Sequence, residues 1–375
     1  MPALLPHVDP DGLEEFSVVF TDRSLNHMSQ AFQGVMRDIS GLLREVYKAE
    51  AVALVPGGGT YGMEAVARQF AAGRKALVVR NGWFSFRWSQ IFEMGGFAGD
   101  VVVAKARQTG NDLRSPFAPA PIAEVVAAIR SERPEVVFAP HVETAAGMIL
   151  PDDYLKAVAE AAHEVGALFV LDCIASGCVW VDMKATGVDV LISAPQKGWS
   201  ASPSAGLVMM SERAVKRLEE TTSNSFALDL KKWRAIMAAY EGGGHAYHAT
   251  MPTDALRAFR DTMRETKEYG FERLREAQWR LGNDVRALLA ERGFRSVAAD
   301  GFGAPGVVVS YTDDPDIQSG KKFLAKGVQI AAGVPLQVGE PEGFRTFRIG
   351  LFGLDKLYAV EATVGRVRAA LDAVA

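Results

Sequence analysis

Residues 168–199 read LFVLDCIASGCVWVDMKATGVDVLISAPQKGW and contain two short apolar runs, Leu168–Leu171 and Val188–Ile192. Each run has the length of a buried strand and is rich in the residues that strands prefer. The first run ends on Asp172, and the second is followed by Ser193-Ala194-Pro195-Gln196-Lys197. Buried strands that finish on polar side chains are typical of a parallel sheet, whose carboxyl edge is where ligands bind.

The same alternation of strand and helix patterns extends outward, from about residue 50 to residue 210. The further strands that we predict are Ala51–Val55, Ala76–Val79, Val136–Ala139 and Ala205–Met209. Helical spacing of apolar residues follows at Thr60–Phe70 and Asp152–Val165. Near-continuous apolar strands separated by helices predict a mostly parallel sheet sandwiched by helices, which is an α/β fold.

The pattern changes after Pro252. The segment Thr253–Glu291 is charged and helical, and we expect breaks at Gly270 and Gly282. Beyond it we predict two strands and two helices, at Val307–Tyr311, Lys321–Gly327, Thr346–Gly350 and Lys356–Ala373. We therefore expect a smaller C-terminal α+β domain at residues 266–375, a large domain at 25–265, and an N-terminal segment, 1–24, that contributes to the substrate pocket and the dimer.

Composition excludes several classes of protein. The chain has 375 residues, 49% of them hydrophobic, and a net charge of −4, so it has no basic field for nucleic acid. Its two cysteines, Cys173 and Cys178, are too few for a disulfide scaffold, and no pattern of metal ligands accompanies them. No signal peptide or membrane-spanning run is present, so we expect a cytoplasmic protein with no membrane partner and no metal.

Three features suggest chemistry, although each alone has an ordinary explanation. Asp172 could be a helix cap, Lys197 a solvated loop lysine, and Pro56-Gly57-Gly58-Gly59-Thr60 a tight turn. Together they suit one ligand with a phosphate for the helix start at Thr60, a ring nitrogen for the carboxylate, and an aldehyde for the lysine. Those are the parts of pyridoxal 5′-phosphate.

These motifs resemble the class V aminotransferases of the fold type I pyridoxal-phosphate family, and most of all the alanine–glyoxylate and serine–pyruvate aminotransferases. The similarity runs from about residue 25 to residue 370. Its most specific part is the Ser-x-x-Gln-Lys segment with Asp172 25 residues before the lysine. The resemblance implies that Lys197 forms an aldimine with the cofactor and moves a proton, while Asp172 pairs with the ring nitrogen.

The resemblance also implies the remaining cofactor contacts. Phe84 and Ile174 match the residues that cover the two ring faces, and Gly58, Gly59 and Thr60 match the phosphate loop. Thr144, in His141-Val142-Glu143-Thr144, is expected near the ring hydroxyl, and Gln196 beside the lysine.

Two further matches bear on substrates and assembly. Tyr247 and Thr250 match a Tyr-His-His-Thr motif that reaches the phosphate of the neighbouring subunit, which implies a homodimer with a shared active site. Arg348 matches the arginine that binds the substrate α-carboxylate, a task that suits a guanidinium because it can hold both oxygens. An ordinary loop and a surface arginine are the alternatives.

The chain also departs from the family in three places. The Gly-Pro-Gly-Pro loop that lines the substrate pocket is replaced by Val8–Gly12 and the segment after it, which leaves the substrates open. Gly58 lacks the usual serine hydroxyl, and Ala175 replaces a common serine.

The resemblance implies a ping-pong aminotransferase that moves an amino group from an L-amino acid to a small 2-oxo acid such as glyoxylate or pyruvate. A cysteine desulfurase-like lyase of the same fold is the alternative, although Cys173 and Cys178 lie near the Asp172 strand, away from where such a nucleophile is needed. A non-catalytic or nucleotide-binding α/β protein is a third possibility, and it would bind no coloured cofactor.

Overall fold

The structure is a computed structural model that describes residues 13–374, so the atypical Val8–Gly12 lies outside the described residues. The helices are α1 Gln30–Tyr47, α2 Gly59–Phe70, α3 Trp83–Gly95, α4 Ile122–Glu132, α5 Asp152–Glu164, α6 Met183–Thr186, α7 Glu212–Glu219, α8 Leu230–Glu241, α9 Thr253–Tyr269, α10 Phe271–Glu291, α11 Pro315–Gln318, α12 Lys321–Leu324, α13 Leu354–Leu357 and α14 Val360–Val374. The strands are β1 Ala51–Pro56, β2 Ala76–Arg80, β3 Val101–Lys105, β4 Arg107–Gln108, β5 Phe117–Ala118, β6 Val136–Pro140, β7 Val142–Glu143, β8 Met148–Ile149, β9 Leu168–Asp172, β10 Val190–Ser193, β11 Ala205–Met210, β12 Val307–Tyr311, β13 Ala331–Ala332 and β14 Thr346–Gly350.

A seven-stranded sheet, in the order β1-β11-β10-β9-β6-β2-β3, forms the centre of the molecule. The pairings among β10, β9, β6, β2 and β3 are parallel, and β11 runs antiparallel to both of its neighbours. Every residue of β2, β6, β9 and β10 is buried. Burial at every position means that both faces are covered, and the predicted mostly parallel sheet between helices is confirmed.

A second, three-stranded antiparallel sheet, in the order β12-β14-β13, lies in the C-terminal part of the chain. Helices α10 and α14 share a hydrophobic cluster with this sheet, which includes Leu281, Phe347 and Leu371. A further cluster joins the two parts, because Val142 and Phe117 from one side meet Val307 and Leu336 from the other. The domain limits stay predictions, and the limit at 265/266 falls near the end of α9.

The predicted break at Gly282 is wrong, whereas the break at Gly270 is present. Gly270 has a φ of 105° and separates α9 from α10, and α10 then runs unbroken through Gly282. A Cβ at Gly282 would lie 2.5 Å from the Cα of Pro305. The glycine there allows a close approach between α10 and a neighbouring loop, so it is a packing residue and not a helix terminator.

The other differences from the predicted elements are small. The predicted helix at Lys321–Gly327 shortens to α12, and the closing helix is preceded by the separate turn of α13. Within residues 13–374, no helix is both long enough and apolar enough to cross a membrane.

Candidate active site

The carboxyl ends of β9 and β10 open into a cavity of about 170 Å³. The two strands are parallel neighbours with Ile192 opposite Asp172, so Asp172 and the chain that follows Ser193 lie at the same sheet edge. The residues that line the cavity are Gly59, Thr60, Phe84, Arg87, Val142, Thr144, Asp172, Ile174, Ala175, Gln196 and Lys197. Eight of the twelve site residues predicted from the sequence are therefore brought together.

Lys197 is held in this cavity by a tight turn. The N–H of Ser200 donates to the Lys197 carbonyl at 3.1 Å, and a Cβ on Gly198 would lie 2.1 Å from the carbonyl oxygen of Gly177. Burial lowers the pKa of Lys197, and the nearby charges of Arg348 and Arg87 lower it further. A lowered pKa leaves more of the amine unprotonated, which is the form that attacks an aldehyde.

Asp172 is buried without a cation in contact. Among the described residues, its carboxylate accepts one hydrogen bond, from the N–H of Ile174 at 2.9 Å. Burial raises its pKa to about 7, and the attractions of the Ile174 N–H and of Arg87 only partly offset this. A carboxylate in this position lacks a counter-charge, and a protonated ring nitrogen would supply one.

The start of α2 has the geometry that an anion site at the glycine loop would need. Gly57, with a φ of 123°, turns the chain after β1, and Gly58 caps α2 without any side-chain hydrogen bond. Gly59 packs against Ile174, since a Cβ there would lie 2.5 Å from the Ile174 Cδ1. The Thr60 hydroxyl accepts a hydrogen bond from Arg87 Nη1 at 2.9 Å. The uncapped helix start leaves backbone N–H groups for a phosphate.

Glu143, to which the sequence analysis gave no role, positions Phe84. Its carboxylate accepts hydrogen bonds from the N–H groups of Phe84 (3.2 Å), Ser85 (2.9 Å) and Ala145 (3.0 Å) and from the Ser85 hydroxyl (2.7 Å). Glu143 is fully buried, and Gly82 is so close that a Cβ there would lie 2.7 Å from the Glu143 Cδ. Glu143 therefore fixes the start of α3, from which Phe84 reaches the cavity.

A polar atom of Gln196 that is unpaired within the described residues also indicates that the cavity suits pyridoxal phosphate. The side-chain oxygen Oε1 of Gln196 is buried and has no hydrogen-bond partner within residues 13–374, and unsatisfied buried groups of this kind are uncommon. A ring with polar substituents would supply partners for Gln196 and Asp172. The start of α2, the cavity that Phe84 and Ile174 both line, and the amine of Lys197 therefore fit this cofactor.

Four of the predicted site residues do not line this cavity. Gly58 is next to it, and Arg348 lies beside it, with its guanidinium 5.6 Å from the centre of the Phe84 ring and its Nε donating to the Ala332 carbonyl at 2.8 Å. Tyr247 and Thr250 are exposed and bond to each other, Oη to Oγ1, at 2.9 Å. Their position away from the chain's own cavity leaves them free to contact another subunit.

The two cysteines are both buried. Cys173 and Cys178 are 2% and 1% exposed, and burial raises the pKa of Cys173 well above its usual value and that of Cys178 to about 12. Both thiols are thus protonated at neutral pH and are poor nucleophiles. Within residues 13–374, no group of three or more His, Cys, Asp or Glu residues is arranged to hold a metal ion.

The chain is similar to known proteins along most of its length. Residues 14–335 match the family described as Aminotransferase class-V. The chain is 26% identical to alanine–glyoxylate aminotransferase 1 of Saccharomyces cerevisiae over 357 residues, covering 89% of this chain and 88% of the relative. It is also 26% identical to the soluble hydrogenase 42 kDa subunit of Anabaena cylindrica, covering 88% and 82%.

A solved structure shows the same fold. The subgroup IV aspartate aminotransferase of Thermus thermophilus superposes with a TM-score of 0.75 at 25% identity, covering 94% of both chains. The fold type I architecture predicted from the sequence is confirmed.

Proposed function

This chain belongs to the class V aminotransferases, and we propose that it transfers an amino group from an L-amino acid to a small 2-oxo acid such as glyoxylate or pyruvate. It is a pyridoxal-phosphate-dependent enzyme, as its family requires. Glyoxylate is named as a substrate in the yeast relative, and this supports it as an acceptor here. The two halves of the reaction are proposed to follow a ping-pong order.

One observation carries this proposal. A single cavity is lined by the amine of Lys197, the carboxylate of Asp172 and the start of helix α2 at Gly59 and Thr60. These groups match the aldehyde, the ring nitrogen and the phosphate of one molecule, and an ordinary surface cleft is not expected to combine all three.

The residues of this chain supply the steps around the cofactor. When bound, pyridoxal phosphate supplies an electron sink that weakens the bonds to the substrate Cα. Asp172 would face the ring nitrogen, and its ionised carboxylate would keep that nitrogen protonated, because each charge would stabilise the other. Lys197 carries a proton at Nζ to and from the substrate Cα, and its lowered pKa suits it to both directions.

Arg348 is the proposed binding group for the substrate α-carboxylate. Its guanidinium lies over the same Phe84 ring that lines the cavity, so a carboxylate that it holds is next to the reacting space. Nε is used by the Ala332 carbonyl, which leaves the two terminal nitrogens for both oxygens of a carboxylate.

We further propose a homodimer in which Tyr247 and Thr250 reach the phosphate of the neighbouring subunit. Their exposed position supports this, as does the exposure of Phe226, which is 77% accessible and packs against His248 with the two rings tilted by 42°.

Two variants, Lys197→Ala and the double variant Tyr247→Phe/Thr250→Val, test whether the site is shared between subunits. If it is, a mixture of the two inactive proteins regains part of the activity. In each mixed dimer, one site combines an intact Lys197 from one subunit with intact Tyr247 and Thr250 from the other.

The cysteine desulfurase alternative is not favoured. Such a lyase needs a thiolate at the substrate, whereas both thiols here are buried and protonated, and neither lines the cavity. The cytoplasmic location stays a prediction.

The proposed transfer is tested by supplying amino donors without any acceptor. A panel of L-amino acids is mixed with the cofactor-loaded protein, and 2-oxo acid is measured. We expect up to one equivalent of 2-oxo acid per site and a change in the absorbance of the bound cofactor. Lys197→Ala abolishes both, whereas Lys48→Ala, at an exposed lysine away from the cavity, leaves both unchanged. No half-reaction with any donor contradicts the proposal.

A further inference from the structure

Arg87 is a cation at the site, and no carboxylate of the described residues forms an ion pair with it. It lies on α3 one turn after Phe84, and its guanidinium is 5.2 Å from the centre of that ring. Its Nη1 donates to the Thr60 hydroxyl at 2.9 Å, and it makes no salt bridge with any residue of the described range 13–374. Arginines that are half-buried without a carboxylate are uncommon unless another anion is their partner.

Three of the residues that line the cavity carry a charge: Asp172, Lys197 and Arg87. The first faces a ring nitrogen and the second an aldehyde in the proposed site, and Thr144, also in the lining, is expected near the ring hydroxyl. The phosphate is the end that remains. It is also the most highly charged, and Gly57, Gly58 and Gly59 offer it no side-chain cation.

The position of Arg87 favours the phosphate over a substrate group. Thr60 is the second residue of α2, so the hydrogen bond from Arg87 places the guanidinium at the helix start where an anion is already attracted. Arg348 lies over the same ring but bonds to the Ala332 carbonyl. The two arginines that lie over Phe84 therefore form hydrogen bonds in different parts of the site. Arg87 bonds to Thr60 at the start of α2, and Arg348 bonds to Ala332 in the three-stranded sheet.

We propose that Arg87 binds the phosphate of the cofactor, as a side-chain cation that compensates for the missing serine hydroxyl at Gly58. This inference rests on the proposed cofactor site. A guanidinium can offer two parallel N–H groups to phosphate oxygens. To do so, Arg87 would exchange the hydrogen bond from its Nη1 to the neutral Thr60 hydroxyl for a hydrogen bond to the phosphate.

The test compares two ligands that differ only in the phosphate. Cofactor-free wild-type protein, Arg87→Met and Arg87→Lys are titrated with pyridoxal phosphate and with pyridoxal, followed by absorbance. We expect Arg87→Met to bind pyridoxal phosphate about ten- to a hundredfold more weakly and pyridoxal within about twofold of wild type. Arg87→Lys should lie between the two.

Arg348→Met is the matched control, because it removes the other arginine that lies over Phe84. The ratio of pyridoxal phosphate affinity to pyridoxal affinity should be unchanged in this variant. Inorganic phosphate gives a readout without the aldehyde, since it should raise the unfolding temperature of the cofactor-free wild-type protein but not that of Arg87→Met.

Three results overturn the inference. If Arg87→Met weakens both ligands equally, or neither, Arg87 does not bind the phosphate. If the ratio is unchanged and only the reaction with acidic amino donors slows, Arg87 binds a substrate carboxylate instead. A wild-type protein that binds no pyridoxal phosphate overturns the proposed function and this inference together, whereas normal wild-type binding isolates the failure to Arg87. Should Arg87→Met not fold, Arg87→Gln is used, and its retained pyridoxal binding shows that the site is intact.

Discussion

The carboxylate of Glu143 accepts hydrogen bonds from both the backbone N–H and the hydroxyl of Ser85, at 2.9 and 2.7 Å, across 58 positions of sequence. A buried anion thus closes the start of the helix that carries Phe84. Glutamine in its place would turn an NH₂ group toward donors, so two hydrogen bonds would be lost and a repulsion gained. We expect Glu143→Gln to lower the free energy of unfolding by about 2–4 kcal/mol.

Chemical denaturation of the cofactor-free protein measures this change. The control is Glu64→Gln, which removes a carboxylate from the partly exposed pair with Arg68 and should cost no more than about 0.5 kcal/mol. Equal losses in the two variants would contradict a special role for Glu143. Cofactor affinity should fall in Glu143→Gln alone, because only that change releases Phe84.

We expect the buried carboxylate of Asp172 to lower the free energy of unfolding of the cofactor-free protein. Its folded pKa of about 7 exceeds the ordinary value of 3.8, so the folded protein holds a proton that the unfolded chain has lost between these two pH values. Stability therefore falls as pH rises through this window and is lowest above pH 7. At pH 8 we expect cofactor-free Asp172→Asn to be more stable than wild type, by as much as about 4 kcal/mol.

A second buried aspartate provides the contrast. Asp189 accepts hydrogen bonds from the Phe169 N–H (2.9 Å) and the Ser211 hydroxyl (3.0 Å) and contacts His163 Nε2 at 2.9 Å. Asp189→Asn should therefore destabilise the protein by about 1–3 kcal/mol. Denaturation at pH 8 measures both variants, and a destabilised Asp172→Asn would disprove the expectation.

His141 should make the protein sensitive to mild acid. It is buried against the Ser176 hydroxyl at 2.7 Å, and burial lowers its pKa to about 3 from an ordinary 6.5. Between these values the unfolded chain binds a proton that the folded chain does not, so stability is lost as pH falls below about 6.5. From pH 8 to pH 5 we expect wild type to lose about 2 kcal/mol more than His141→Asn. Parallel losses, measured by denaturation at both pH values, would rule this out.

The two glycines at the start of α2 should respond differently to substitution. Gly58 has an extended backbone and open space around a would-be Cβ, so Gly58→Ser is expected to fold normally and to add a cap hydroxyl. Gly59→Ala would place a Cβ 2.5 Å from Ile174 and displace it from the ring face. Titration with pyridoxal phosphate should show tighter binding in Gly58→Ser and weaker binding in Gly59→Ala, and the reverse order would refute this account.

Gly282 should be more sensitive than a glycine in an open part of a helix. Gly282→Ala forces a Cβ against the backbone of Pro305, and we expect a loss of about 2–3 kcal/mol. Gly41, in α1, has nothing within 4 Å of its would-be Cβ, so Gly41→Ala should gain about 0.5–1 kcal/mol through better helix propensity. Thermal unfolding distinguishes these opposite signs, and a stabilised Gly282→Ala would contradict the packing account.

Six of the seven strands of the central sheet, all except β3 Val101–Lys105, were predicted from the sequence because strand signals are local. Leu168–Leu171 and Val188–Ile192 each reveal a strand by composition, and parallel pairing then brings Asp172 near Lys197. The antiparallel course of β11 could not be read in this way, since it depends on pairing with β1 some 150 residues earlier.

The missed parts of the site share one cause. Glu143 belongs to the motif His141-Val142-Glu143-Thr144, but its role in positioning Phe84 was not predicted. Most of the groups that donate to its carboxylate belong to α3, which is distant in sequence, and no local pattern indicates such a contact. Gly282 was predicted to break a helix because glycine has a low helix propensity, which is a local property. Its actual role is to let α10 pack closely against Pro305, which is distant in sequence. Arg87 was visible one turn after Phe84, yet its direction toward Thr60 follows only from how α2 and α3 are arranged.

The contact between Gly177 and Gly198 has a consequence for engineering. The loops that follow β9 and β10 meet there backbone to backbone, with no side chain between them. The close approach of the two loops that carry the acid and the amine therefore requires glycine at both positions. Laboratory evolution toward new substrates should therefore hold these two glycines constant while lining positions such as Val142 and Ala175 are varied.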